Sequence, residues 1–373
     1  MSQNLVWCQT SHIMQIARRT VTMEVPDKQL AIEYLSLTLE KLGDKDLYQF
    51  DYVVDAGISN IIAFSNTVTI DHVDHTYYNP GSLKWDTTTE ANLVYWHKVC
   101  SLFTDYCKGR QDCLALLDSP RILTLDGNAK KVRRTNQEAT FYSSISKNFR
   151  KLPIINSQFG VMFFNWWKAV EIEMTRDEWL PPSILAGEIY CSIPFWNAPA
   201  GLNYGVVPNV RDISVNPSKQ QASLIYDNKM NYFVIERGQC RLEGQKTLYA
   251  KSSAFDRVNV RRLFNFMNRS CDRLLRYFVY ETNTLDNRRR LTNYMNVLFN
   301  RLLSLQAIYD FRVVCDETIN TPDTIDRNEL HVIVLVKPAK TIEFMKISFV
   351  ATRTADNFAD VYANLDMTGA MNW

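Results

Sequence analysis

Asp71, His72, Asp74 and His75 stand together in DHVDHT, a set of imidazoles and carboxylates of the kind that suits zinc or manganese. The run sits in a Thr- and Asp-rich stretch without a third histidine nearby. A solvated loop is the simpler reading, and no metal is assigned. Asp316 and Glu317 in CDET follow an apolar run, where a carboxylate pair could move protons; a turn closing that strand is the better account of them. Glycines close apolar runs in VVDAG and AGLNYG, but neither run fits GxGxxG or GxxxxGK[ST], so no phosphate loop is read. There is no GxSxG elbow and no local cysteine–histidine signature of a nucleophile with its base. No catalytic residue and no cofactor is expected.

Arginine gives a clearer pattern. Arg262, Arg269, Arg273 and Arg276 follow one another at steps of seven, four and three, which puts them on one face of a helix, with an apolar stripe on another. Arginine rather than lysine favours a fixed contact with carboxylates or phosphates. An ordinary solvated face is the competing reading.

The elements that must position these residues follow from periodicity. KQLAIEYLSLTLEKLG (28–43) spaces Ile32, Leu35, Leu39 and Leu42 as an amphipathic helix ending on Gly43. Phe50, Tyr52, Val53 and Val54 form a buried strand closed by Asp55 and Gly57. Leu93, Trp96, Cys100, Phe103 and Cys107 are spaced as a helix that stops before Gly109, followed by the strand-like DCLALLDSP. A helix at about 136–151 and a strand at 159–165 continue an α/β rhythm, which predicts a mostly parallel, helix-covered sheet. EWLPPSILAG starts a helix near Ser183, and 194–205 is loop-like.

Past a soft boundary near residue 250, the run from Ser253 to Glu281 carries Val260, Leu263, Phe264, Met267, Cys271, Leu274, Leu275 and Phe278 at helical steps, with Ser253 or Asp256 as its cap. A second helix spans about 286–307. Three strand-like runs follow, DFRVVCDE, ELHVIVLVKP and TIEFMKISFVATR. The fold class expected is α/β followed by α+β: a sheet domain over 1–250, then a domain over 251–373 of two helices packed on a small sheet. The long apolar strands would invite pairing between molecules at an uncovered edge, and the tail after Arg353 could reach a neighbour.

Composition sets outer bounds. Hydrophobic residues make up 46% and aromatics 12% of 373 residues, which is a chain that buries cores. Forty-two basic residues against 40 acidic ones give a net charge of +2, so nothing global selects nucleic acid or an anionic membrane. The eight cysteines are scattered without a CxxC pair, which favours reduced thiols. No stretch approaches the roughly 18 apolar residues of a membrane helix; the run Phe159–Trp167 is strand-sized and broken by Asn165.

SAFDRVNVRRLF and the stretch from FRVVCDE through KISFVATRT resemble the C-terminal domain of myovirus tail sheath proteins of the T-even type. Upstream, EWLPPSILAGEI, FWNAPAGLNYGVV and SVNPSKQQASLIYDNKMNYFV resemble the same family in the same order, so the likeness spans roughly residues 110–360. The resemblance implies a non-enzymatic subunit of the virion tail, assembled in the host cytoplasm. Its implied partners are copies of itself in six-fold rings, the tail tube, and baseplate and tail terminator proteins. It also implies a C-terminal domain facing the tube, with Arg262, Arg269, Arg273 and Arg276 as tube contacts, and terminal arms that add strands to neighbouring sheets. No counterpart of the family's N-terminal arm is recognised before about residue 45. The sheath of a related injection system is the runner-up, and an α/β enzyme a distant third.

Overall fold

The computed structural model describes residues 22–23, 28–64, 68–69, 87–125, 152–169 and 179–343. It divides into two units, residues 1–339 and 340–373; of the second, only 340–343 are described, without regular structure. The elements of the first unit, in chain order, begin with β1 (Thr22–Met23), α1 (Lys28–Lys41), β2 (Tyr52–Val54), α2 (Ile58–Phe64), β3 (Val68–Thr69), α3 (Thr87–Arg110) and β4 (Leu114–Asp118). Then come β5 (Gly160–Phe163), β6 (Trp167–Ala169), α4 (Pro182–Ser192), α5 (Gly201–Tyr204), β7 (Val206–Val207), β8 (Val210–Ile213) and α6 (Lys219–Asp227). The chain continues with β9 (Met230–Glu236), β10 (Gln239–Glu243), α7 (Val258–Arg276), α8 (Leu285–Ser304), β11 (Ile308–Val314), α9 (Pro322–Asp326) and β12 (Ile333–Pro338).

The main sheet runs β2-β4-β5-β9-β10-β7. Its first four strands are parallel and the last two pairings antiparallel, so the sheet is mixed where the sequence rhythm predicts a mostly parallel one. The short connection between β9 and β10 explains the change: Arg237 and Gly238 turn at positive φ, and a two-residue turn can only join antiparallel strands. Every residue of β4 and β5 is buried, as expected of strands covered on both faces. Ala115, Leu117 and Met162 point into a core with α1, α2 and α3, while Leu114, Leu116, Val161 and Phe163 point into another with α4. A third core joins Leu263 and Met267 of α7 to Leu291, Met295 and Phe299 of α8 and to the antiparallel pair β11–β12.

Two expectations change. Ser253 caps a short 3-10 turn, accepting from Phe255 N, and α7 itself starts after Arg257 with no side-chain cap. The stretch 194–205, read as a loop, contains the single-turn α5, started by Gly201 at φ 79°. The helix expected at 136–151, most of the third strand-like run and the tail after Arg353 lie outside the described residues.

At the carboxyl ends of β2 and β4 the chain buries two carboxyls. Asp118 accepts from Ser183 N (2.7 Å), Ser183 Oγ (2.8 Å) and Gly57 N (2.9 Å), which ties β4 to the starts of α2 and α4. Gly57 sits at φ 83° with Pro181 beside it, a position where a side chain would be strained. Asp55 accepts from Ser59 N (2.8 Å), Ser59 Oγ and Asp118 N (3.2 Å). Burial pushes both carboxyls above the usual Asp value of 3.8, against the pull of these donors. The folded chain therefore holds protons that the unfolded chain has released. This contribution to stability is full below pH 3.8 and is lost as pH rises through the raised values. Urea titrations between pH 4 and 7 should show that loss, and Asp55→Asn should flatten it. Asp118→Ala, which strands three donors, should destabilise the chain by about 3 kcal/mol.

Candidate functional site

The arginine face of α7 meets the other end of the same sheet. Parallel strands begin with carbonyls that have no partner in the ladder, and α7 lies across them. Asn268 Nδ2 donates to Gln111 O (3.2 Å), Asn265 Nδ2 to Cys113 O (2.9 Å), and Arg269 Nη2 to Asp112 O (2.8 Å) and Phe50 O (3.2 Å). Arg269 also pairs with Asp51 at 2.6 Å. Arg273 donates to Gln49 Oε1 (2.6 Å), and Arg276 pairs with Asp46.

Arg262 is only 2% exposed, which corrects its reading as part of an outward ridge. Its Nη2 donates to Tyr190 O (2.8 Å) and Ile193 O (3.1 Å), the last turn and cap of α4, and its Nε to Tyr52 Oη (2.8 Å). The guanidinium thus caps the carboxyl end of another helix, where the aligned peptide dipoles favour a cation. Tyr52 and Tyr190 present their rings to it at 5.8 and 5.2 Å. Burial pushes the Tyr52 hydroxyl up to about 12, with Arg262 opposing. Arg261, which the spacing argument left out, is buried over Phe159 (4.4 Å) and Phe255 (5.0 Å), with Nε donating to Asn265 Oδ1 (2.8 Å). Burial lowers its guanidinium to about 10.

The four predicted arginines therefore come together on one helix face and grade from sealed to open. Arg262 is buried, Arg269 half-buried, and Arg273 and Arg276 exposed. A second buried arginine escaped sequence reasoning. Arg110 grips Asp112 through Nε and Nη2 (both 2.9 Å) and donates to Leu42 O (2.6 Å) and Tyr48 O (2.8 Å), fixing α1 and the 44–51 segment to α3. KGRQD carries no periodic signal that marks it.

What this arrangement does chemically is hold elements together. The buried carboxyls Asp55 and Asp118 have no exposed surface to offer a substrate. Asp316 Oδ1 accepts from Thr318 N (3.0 Å), the turn read for CDET. Among the described residues no three His, Cys, Asp or Glu are grouped to hold a metal, and no helix is long and apolar enough to cross a membrane. His72 and His75 lie outside the described residues.

Residues 250–352 match the family model for the phage tail sheath C-terminal domain. The chain is 32% identical over 266 residues to the tail sheath protein of Vibrio phage KVP40, covering 68% of this chain and 39% of that protein. It is 29% identical over 301 residues to the tail sheath protein of Enterobacteria phage T4, covering 78% and 44%. The chain thus spans about two fifths of the length of these curated relatives. In fold it is similar to the contracted helical sheath of the anti-feeding prophage (TM-score 0.53, 19% identity, 72% of this chain and 68% of that one). It is also similar to the contracted sheath complex of the extracellular contractile injection system PVC (TM-score 0.54, 18% identity, 68% of each).

If the buried arginine holds α7 on the sheet, Arg262→Met should cost about 3 kcal/mol, because carbonyls of Tyr190 and Ile193 lose their donor. Arg262→Lys should fall between. Arg276→Ala, at an exposed pair, should stay within about 0.5 kcal/mol of the parent. Guanidinium titration of the three variants measures the order.

Proposed function

We propose that this chain, a relative of the contractile phage tail sheath proteins, is the C-terminal part of such a subunit. It polymerises around a tail tube and changes packing to drive that tube through a host envelope. The sheath family match over 250–352 carries the reading, and sequence likeness to two phage tail sheath proteins supports it over most of the chain. The fold likeness to injection-system sheaths comes at 18–19% identity, against 29–32% for the phage proteins, so the phage machine is the reading favoured.

The subunit is non-catalytic. Its partners are copies of itself in stacked rings, the tube, the baseplate and a tail terminator. It resides in the virion tail after assembly in the host cytoplasm. The chain is organised as a sheet domain over 1–250 and a tube-facing domain over 251–373. Two unlike modules suit a lattice that switches, because a limited free-energy difference per subunit, summed over many copies, propagates through bistable contacts. Near-neutral net charge lets copies pack closely without strong self-repulsion. Of the arginine face, Arg273 and Arg276 have the exposure to reach acidic tube residues; Arg262 and Arg269 act by holding α7 in place.

Negative-stain microscopy of the chain mixed with its tail tube should show striated sleeves that thin out as salt rises. Arg273→Glu with Arg276→Glu should leave the fold intact and reduce sleeve formation roughly tenfold. Normal sleeves from that double variant would remove the tube-contact assignment.

A further inference from the structure

Arg288 in the first turn of α8 is 6% exposed, yet its Nε and Nη1 meet no acceptor. Asn283 Oδ1, one turn before it, is also buried without a donor. Burial pushes the Cys315 thiol up and the Arg288 charge opposes that rise, so the guanidinium lies near the end of β11. The other buried arginines differ. Arg110 holds a carboxylate, Arg262 holds carbonyls, and Arg261 holds Asn265 against two rings. A cation with two of its three nitrogens out of water and no counter-charge is unfavourable, and its remaining exposed edge leaves room for an acceptor from another molecule.

The chain that leads into the first turn of α8, capped by Thr284, has the character of half an interface. The connection 277–284 and the segment around Glu329 are tied by Asn283 Nδ2 donating to Glu329 O (3.0 Å). They expose Tyr277, Val279, Tyr280 and Leu330, and Tyr280 is held at φ 71°, where a bulky residue is strained. Arg289 and Arg290 stand exposed alongside. Asn320 exchanges hydrogen bonds with His331 N and O (2.8 and 2.9 Å) and reaches Cys315 Sγ (4.0 Å), which fixes the segment through Glu329 beside the end of β11. Elsewhere the chain carries the complement. On α1, Leu30, Tyr34 and Leu37 are exposed at helical steps, flanked by Glu33 and Glu40, which are exposed and have no partner among the described residues.

We infer that Arg288 is the seat for a carboxylate of a second copy of this chain, brought by the exposed Glu33–Glu40 face of α1 onto the apolar rim around Tyr277 and Tyr280. The inference rests on the sheath reading, which requires copies to touch. Two unlike patches make a heterologous contact, and a contact of that type repeats into an open helical array.

Sedimentation velocity on the full chain tests it with two variants. Arg288→Met keeps the apolar stem and removes an unpaired charge. Its monomer should melt no lower than the parent, while self-association weakens roughly tenfold or more. Glu33→Gln with Glu40→Gln should weaken association to a similar degree. An equimolar mixture of the two variants should form a dimer that neither forms alone, because one intact patch of each kind remains. Parent-like association of Arg288→Met, a monomeric mixture, or a melting temperature of Arg288→Met far below the parent overturns the seat while leaving the sheath reading in place. A parent chain that stays monomeric at every concentration, alone and with tube, overturns both.

Discussion

A guanidinium taken out of water needs acceptors, and Arg262, Arg110 and Arg269 find theirs at the ends of other elements. Arg262 closes the carboxyl end of α4, and Arg110 closes the end of α1. Arg269, with Asn265 and Asn268, covers the carbonyls at which β2 and β4 begin. Strand starts and helix ends are where backbone groups lack regular partners, and burying them bare would be costly. The long reach and multiple donors of arginine let one side chain settle several such groups at once. At the opposite end of the sheet Asp55 and Asp118 do the converse, accepting from the N–H groups that open α2 and α4. The core positions the layers, and these polar clasps fix where each layer stops.

This division explains what could be read from the sequence. The apolar spacing of Leu263, Met267 and Leu274 placed α7 within a few residues of its ends, and LALLD read as a strand because every one of its positions is buried. The arginine spacing correctly put four residues on one face. What spacing does not encode is what that face meets. A helix face rich in arginine has the same periodicity whether it looks at water or at the start of a sheet. Arg262 turns inward because α4 ends beside it, which is a fact of tertiary arrangement. The switch of the sheet from parallel to antiparallel turned on Arg237–Gly238, a short turn overshadowed by the α/β rhythm before it. Asp55 and Asp118 do leave a trace, as lone carboxylates ending the apolar runs YVVD and LALLD.

Under the function proposed above, the same arrangement gives a separation of tasks. α7 gives its inner arginines to its own sheet and its apolar stripe to α8, so the helical pair and the sheet move as a connected body. The exposed contacts, the Arg273–Gln49 and Arg276–Asp46 pairs on one flank and the rim around Tyr280 on another, are the ones that such a subunit could exchange for contacts with neighbours. Interiors are close-packed and do not deform continuously, so motion is concentrated at such contacts between bodies.

The central claim is that the polar clasps of α7 make one cooperative body of the sheet and the helical pair, and native-state hydrogen exchange addresses it most directly. The account predicts that amides of α7 and α8 open together with those of β4 and β5, at one free energy and with one denaturant dependence. Separate opening of α7 and α8 at a clearly lower free energy, with the sheet still protected, would contradict it.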